Sequence, residues 1–162
     1  SVRITERFRP YEEVLRYRTG ARCDLDWSSS GLSARYGPSD KPAWKIRGRL
    51  EGLLCRSLAG LAYLEGGRKT DWFSAYLRGT IFIADNWDDR IYSYERDAPG
   101  NFTVPAYYGR GWSLSAVSGC KLRLGRGRAL KLYFRASTMA YSFMKEPKPS
   151  VSEAKAQAVV MF

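Results

Sequence analysis

Histidine is absent from this sequence. Its absence removes Ser-His-Asp and Cys-His catalysis, and the commonest metal ligand with them. Asp24, Asp26 and Glu51 are the carboxylates from which paired acid–base hydrolysis would have to be built, yet nothing in their spacing sets two of them about a substrate. Asp88 and Asp89 could touch a cation, although adjacent acids in a loop are usually just solvated. No glycine loop leads from a strand into a helix to hold phosphate. The three cysteines, Cys23, Cys55 and Cys120, are widely spaced and show no CxxC pattern. They read as small apolar fillers, with a single disulfide as the alternative. The expectation is a protein that is not an enzyme and carries no cofactor or metal.

What the residues do offer is positive charge and aromatic surface. Lys and Arg number 27 against 16 acids, a net charge of +11, and aromatics make up 14% of the chain. Such a chain attracts anionic solutes, nucleic acid or anionic lipid, and the placement of the charges decides among them. Arg16, Arg18, Arg22, Lys45, Arg47, Arg49, Arg78, Lys121, Arg123, Lys131 and Arg135 all fall on the polar phase of alternating runs. Lining a pore, they would favour anions over cations. In a narrow eight-strand barrel they would instead pair with Asp24, Asp26 and Glu51 and fill the interior, the reading favoured for that size.

The elements that must position these residues alternate with period two, the signature of strands with two unlike faces. Leu15–Trp27, Trp44–Leu54, Phe73–Ile83, Trp112–Leu124 and Leu130–Thr138 are the clear runs, and Gly125-Arg126-Gly127-Arg128 joins the last two as a hairpin. Weaker strands are expected over Val2–Phe8, Leu32–Tyr36, Ser57–Leu64 and Arg90–Glu95, with Ser57–Leu64 open to a helical reading. Gly37–Pro42, Gly66-Gly67, Asp97–Asn101 and Lys145–Ser150 read as turns or loops. No run approaches the roughly 20 apolar residues of a spanning helix. The N-terminus lacks an initiator Met and a signal-peptide core, which reads as a mature or truncated chain.

Alternation alone does not distinguish a lipid-facing barrel from a water-facing one. Three features favour lipid. The clear runs are about eleven to thirteen residues long, enough to cross a hydrocarbon layer at a tilt. The polar faces mix Arg with Asp, Glu, Tyr, Ser and Gly, and aromatics stand at strand ends, as at Trp27, Trp44, Trp72, Phe73 and Trp112. The expected fold is therefore all-β, an antiparallel transmembrane β-barrel of about eight to ten strands or the C-terminal part of a larger one. Residues 1–162 form a single domain on this reading. Outer-membrane lipid would surround it.

Between the third and fourth clear runs, Arg90-Ile91-Tyr92-Ser93-Tyr94-Glu95 is followed by Val104-Pro105-Ala106-Tyr107-Tyr108-Gly109-Arg110-Gly111. This two-part motif resembles a segment in the C-terminal β-barrel of Bacteroidota outer-membrane proteins that carry helix-hairpin-helix repeats nearer their N-terminus. Strand rhythm on both sides extends the similarity over most of the chain. The repeats themselves are absent, and Gly125-Arg126-Gly127 lies between alternating strands, so no DNA-binding residue carries over. The resemblance implies a bacterial outer-membrane location. Read physically, Arg90, Tyr92, Tyr94, Glu95, Tyr107, Tyr108 and Arg110 could form an ordered loop site, or simply a hairpin whose tyrosines pack on one another. Gly109 and Gly111 would supply unusual backbone angles where the chain re-enters the sheet.

The chain closes with Ala154, Ala156, Ala158, Val160 and Phe162 on one face. A last strand ending in Phe162 resembles the signal read by the barrel-assembly machinery. A rival helical reading rests on the capping box Ser150-Val151-Ser152-Glu153. Function is thus expected to be that of a channel, receptor or translocation component with a basic lumen. The alternative is a soluble β-barrel that binds nucleic acid or another anionic ligand.

Overall fold

The computed structural model describes residues 2–11, 14–28, 43–125, 128–142 and 148–161. Each alternating run becomes a long strand: β1 (Val2–Tyr11), β2 (Val14–Ser28), β3 (Ala43–Leu54), β4 (Leu58–Lys69), β5 (Phe73–Ala84), β8 (Gly109–Gly125), β9 (Arg128–Tyr141) and β10 (Lys148–Met161). These eight pair antiparallel, each beside the next, in the order β1-β2-β3-β4-β5-β8-β9-β10. Two short strands, β6 (Ile91–Tyr92) and β7 (Ala106–Tyr107), form a separate sheet inserted between β5 and β8. No helix of the described residues is long and apolar enough to cross a membrane, which does not bear on crossing by strands.

Among the described residues no pairing joins β1 to β10, so these eight strands form an antiparallel sheet with two free edges and not a closed ring; the sequence leads to either a complete barrel or part of a larger one. An eight-strand ring has an interior just wide enough for its own side chains. Here the 85–108 segment lies on one face of the sheet, its Ile91 and Tyr107 in the same buried cluster as Leu61 and Phe82.

Four local differences have physical causes. Gly66 and Gly67 are not a turn; β4 runs straight through them, and a Cβ on Gly67 would sit 2.1 Å from Cδ1 of Tyr76. The glycine is needed for close packing, and the turn falls three residues later, where Thr70 and Phe73 exchange hydrogen bonds of 2.7 and 3.0 Å. The strand expected over Arg90–Glu95 is regular only at Ile91–Tyr92, with an isolated bridge from Glu95 to Thr103. Opposite it, Pro105 has no N–H to return the bond that Ser93 donates. Gly109 has the expected positive φ of 83°, but Gly111 does not; a Cβ on Gly111 would lie 2.0 Å from the Ala140 carbonyl oxygen. The C-terminal segment is the strand favoured from sequence, but it starts at Lys148, inside the expected Lys145–Ser150 loop, through a register irregularity before Val151; from there its ladder with β9 is continuous to Met161, and the capping-box helix does not form. Leu32–Tyr36 and Phe162 lie outside the described residues, and all three cysteines are free.

The two faces of the sheet are inverted relative to a water-soluble sheet. In β5, Leu77, Ile81 and Ile83 are 54, 61 and 49% exposed, while Arg78, Thr80 and Phe82 between them are 2, 3 and 2% exposed. The open face carries Leu25, Trp27, Trp44, Leu50, Leu64, Leu114 and Phe134 outward. On the covered face the inserted segment packs Tyr107 and Ile91 against Leu61 and Phe82, the Tyr107 and Phe82 rings 5.1 Å apart. Full burial of each such side chain contributes about 1.5–3 kcal/mol.

Candidate functional site: the charged face and its covering segment

Cross-strand register stacks opposite charges in rows on the covered face. Asp26 faces Arg47, Arg47 faces Glu65, and Glu65 faces Arg78 on four successive strands. One row along, Asp24 on β2 faces Arg49 on β3, and Arg22 faces Glu51. Between β2 and β3 the facing pairs Arg47–Asp26 and Arg49–Asp24 close at 2.8 and 2.7 Å, while Arg22 turns along its own strand to Asp24 at 2.7 Å and Arg49 reaches Glu51 on its own strand at 3.9 Å. Opposite charges facing one another stabilise a sheet, and a buried arginine needs its carboxylate. Asp24, Asp26 and Glu51 therefore meet arginines on the covered face of the sheet.

Deeper in, the network involves the inserted segment. Arg78 donates to Glu65 through Nε and Nη2, at 3.0 and 2.7 Å, and through Nη1 to the Tyr94 carbonyl at 2.6 Å. Arg96 of the segment donates to the other Glu65 oxygen at 2.6 Å and lies 4.0 Å over the Tyr76 ring. Glu95, 2% exposed, accepts from the Tyr107 hydroxyl and from Arg135 of β9, and Arg135 also reaches Glu153 at 2.9 Å. Burial, followed by the nearby Glu95 charge, pushes the Tyr107 hydroxyl far above its ordinary value, so it remains a donor.

The two ends of the segment are also tied down. Asp89 accepts from the amides of Arg56 and Ser57, the Ser57 hydroxyl and Asn86, locking the β3–β4 turn to the segment's single 3₁₀ turn, Trp87–Asp89. Burial pushes the Asp89 carboxyl up, but these hydrogen bonds outweigh it and leave the group below its ordinary 3.8. At the far tip, Pro99 and Gly100 (φ 88°) occupy the centre of a turn closed by Asn101 N–H to Ala98 oxygen, the type II preference. Asp97 braces that turn from Ala98 and Thr103, and Asn101 and Pro99 then bond Gln157 of β10.

The other candidate residues are distributed unevenly. Arg90 is spent locally, donating to Tyr92 at 2.7 Å and lying 4.6 Å from the Trp87 ring. Tyr92 and Tyr94 point away from the sheet, Tyr94 against Phe102, while Tyr108 packs on Trp87. Arg110 is exposed and bidentate to Asp85 at 2.6 and 2.7 Å. These seven residues do not converge on one pocket; Glu95 and Tyr107 join the buried network, and the rest form surface pairs. Lys45 and Arg123 are exposed, and Lys121 and Lys131 half-buried, near the opposite end of the sheet. The side chains of Arg16 and Arg18, and Phe162, lie outside the described residues. Sequence reasoning missed Glu65 and Glu153, and it read Asp89 as a solvated loop acid, whereas Asp89 is fully buried and held by four hydrogen bonds. Glu65 was within reach, since it continues the phase of Ala59, Leu61 and Tyr63, all buried.

No group of three or more His, Cys, Asp or Glu side chains among the described residues is placed to hold a metal ion. Comparison with protein-family models, curated proteins and solved structures returns no match.

Proposed function

We propose that the chain forms wall and plug of a bacterial outer-membrane β-barrel, as a non-enzymatic channel, receptor or translocation component. The observation that carries this reading is the inversion of the sheet. Large apolar side chains cover the open face, while Arg78, Glu65, Arg135 and Glu95 are buried on the other. In water an apolar patch of that extent is an association surface; in lipid it is the ordinary exterior of a barrel wall. In hydrocarbon the free edges of β1 and β10 must be paired, with one another, with further strands or with another copy of the chain, since an open edge is not tolerated there. A wider barrel also leaves room for the 85–108 segment as a plug against the wall.

The soluble nucleic-acid-binding alternative is disfavoured by where the arginines go. Arg47, Arg49, Arg78, Arg96 and Arg135 are each held by carboxylates, whereas binding nucleic acid needs basic groups available to phosphate. The test is insertion into phospholipid vesicles. Trp27, Trp44 and Trp112 should be quenched by lipids brominated along their chains, and the folded protein should migrate differently on gels before and after heating. A chain that stays monomeric and folded in plain buffer overturns the reading.

A further inference from the structure

The outward faces of β3, β4 and β5 carry one charged side chain, Arg68. Everything else that faces outward there is apolar or glycine: Trp44 to Leu54 on β3, Leu58 to Gly66 on β4, Phe73 to Ile83 on β5. Arg68 sits near the end of its strand, directly opposite Trp44 and Ala75, with its guanidinium 5.6 Å from the Trp44 ring. Among the described residues no carboxylate pairs with it.

Beside it the apolar face is hollowed. A groove of about 570 Å³ runs from Trp44 and Ile46 past Gly66 to Leu77, Ala116 and Phe134, with Arg68 on its lining. The hollow exists because Gly66 and Ala116 are small where the row on one side carries Leu64 and Leu114: Gly66 faces Ile46 and Leu77, and Leu77 faces Ala116. A Cβ built on Gly66 meets nothing within 4 Å, so the glycine is not required by packing.

We propose that this groove is a binding site for one anionic glycerophospholipid, its phosphate on Arg68 and one acyl chain along the groove. The proposal rests on the membrane reading above. Its basis is complementarity: an apolar channel with one cation at its end, held over an aromatic ring, matches an amphiphile whose single negative charge lies at the end of a hydrocarbon chain. A cation on a lipid-facing surface otherwise carries an uncompensated cost unless it reaches headgroups.

The test is native mass spectrometry of the folded full chain released from vesicles of phosphatidylglycerol or phosphatidylcholine, counting retained lipids. Wild type should retain one phosphatidylglycerol in preference to phosphatidylcholine. Arg68→Gln should weaken retention of phosphatidylglycerol about fivefold and erase the preference. Arg68→Lys should recover part of it. Gly66→Leu, which fills the groove, should weaken retention of both lipids while Arg68 stays in place. Retention by Arg68→Gln and Gly66→Leu equal to wild type overturns the site, as does equal retention of the two lipids by wild type. Failure of wild type to enter vesicles removes the membrane reading itself. Wild-type insertion with unchanged variants removes the lipid site alone.

Discussion

Replacing Glu95 by Gln should release the inserted segment from the wall. The Glu95 and Arg135 side chains are 2 and 3% exposed and meet at 2.5 Å. Removing one partner of a buried pair costs about 3–5 kcal/mol, because the remaining charge is left desolvated. Glu153, 2.9 Å from Arg135 but 48% exposed, compensates in part, which places the loss at the low end, about 3 kcal/mol or a factor of about 100 in the equilibrium. Gln keeps one acceptor oxygen, and with it turned to the Tyr107 hydroxyl its NH2 faces Arg135, so the change spares the Tyr107 hydrogen bond and removes both the charge and the Arg135 hydrogen bond. The assay is urea unfolding of lipid-inserted protein followed by tryptophan fluorescence, with amide exchange at Ser93 and Glu95 reporting local release. The decisive comparison is the cycle with Arg135→Met: the double variant should cost less than Glu95→Gln alone, since it leaves no orphaned charge. A single-variant loss below about 0.5 kcal/mol, or strict additivity, would refute the idea that this pair holds the segment.

Four further outcomes follow from the same geometry. Asp89 lies below its ordinary 3.8, so its contribution is complete above that value and is lost as pH falls through the lower folded value. Corrected amide exchange at Arg56 and Ser57 should stay level from neutrality to about pH 4 and rise below it, while loss of protection already near pH 6 contradicts the assignment. Gly67→Ala drives a methyl into the Tyr76 ring and the Ala75 carbonyl and should cost about 1–3 kcal/mol in urea unfolding, whereas Gly66→Ala stays within about 0.5. Cys23 and Cys120 share the phase of the open apolar face and Cys55 lies in the β3–β4 turn. A charged, water-soluble maleimide should therefore label Cys55 in vesicles and spare the other two, and rapid labelling of Cys23 argues against a lipid-facing surface. Lys121 and Lys131 are directly opposite one another on β8 and β9. Lys131→Gln should raise stability by about 0.2–1 kcal/mol at low salt and by much less in 1 M salt, and a gain indifferent to salt counts against repulsion.

Much of the sheet is legible in the sequence because the period of two is imposed by backbone geometry whatever solvent surrounds it. Leu15–Trp27 and Phe73–Ile83 fall almost residue for residue on β2 and β5. Composition misleads where a residue serves packing instead of a bend, as at Gly66-Gly67, and where Pro105 interrupts a ladder that Tyr92 and Tyr94 suggest. The candidate site is less legible for a related reason. Arg78 and Arg135 are visible as positive phases of strands, but their partners Glu65 and Glu95 depend on register and on a segment folding back over the sheet. Arg90 and Arg110 belong to the same tyrosine-rich motif, yet both find local partners. Spacing within the motif does not distinguish them from Glu95.

The distribution of paired and unpaired charge narrows what the covered face can do. Arg78, Arg96 and Arg135 hold the segment in place through Glu65 and Glu95. Their field is largely neutralised where they stand, so they do not form a continuous anion-attracting wall. Lys45, Lys121, Arg123 and Lys131 lie toward the end where β4 turns into β5 and β8 into β9, and among the described residues none of them is matched by a carboxylate. Positive potential therefore concentrates at one end of the face, while the middle is closed by ion pairs and by Tyr107 packed on Phe82. If the sheet is the barrel wall proposed above, it would gather anions at a mouth without conducting them past the segment. Under the proposed membrane reading, a receptor or a gated path fits this arrangement better than an open pore, and the Glu95–Arg135 pair, not the basic residues at the rim, is the contact on which opening would turn.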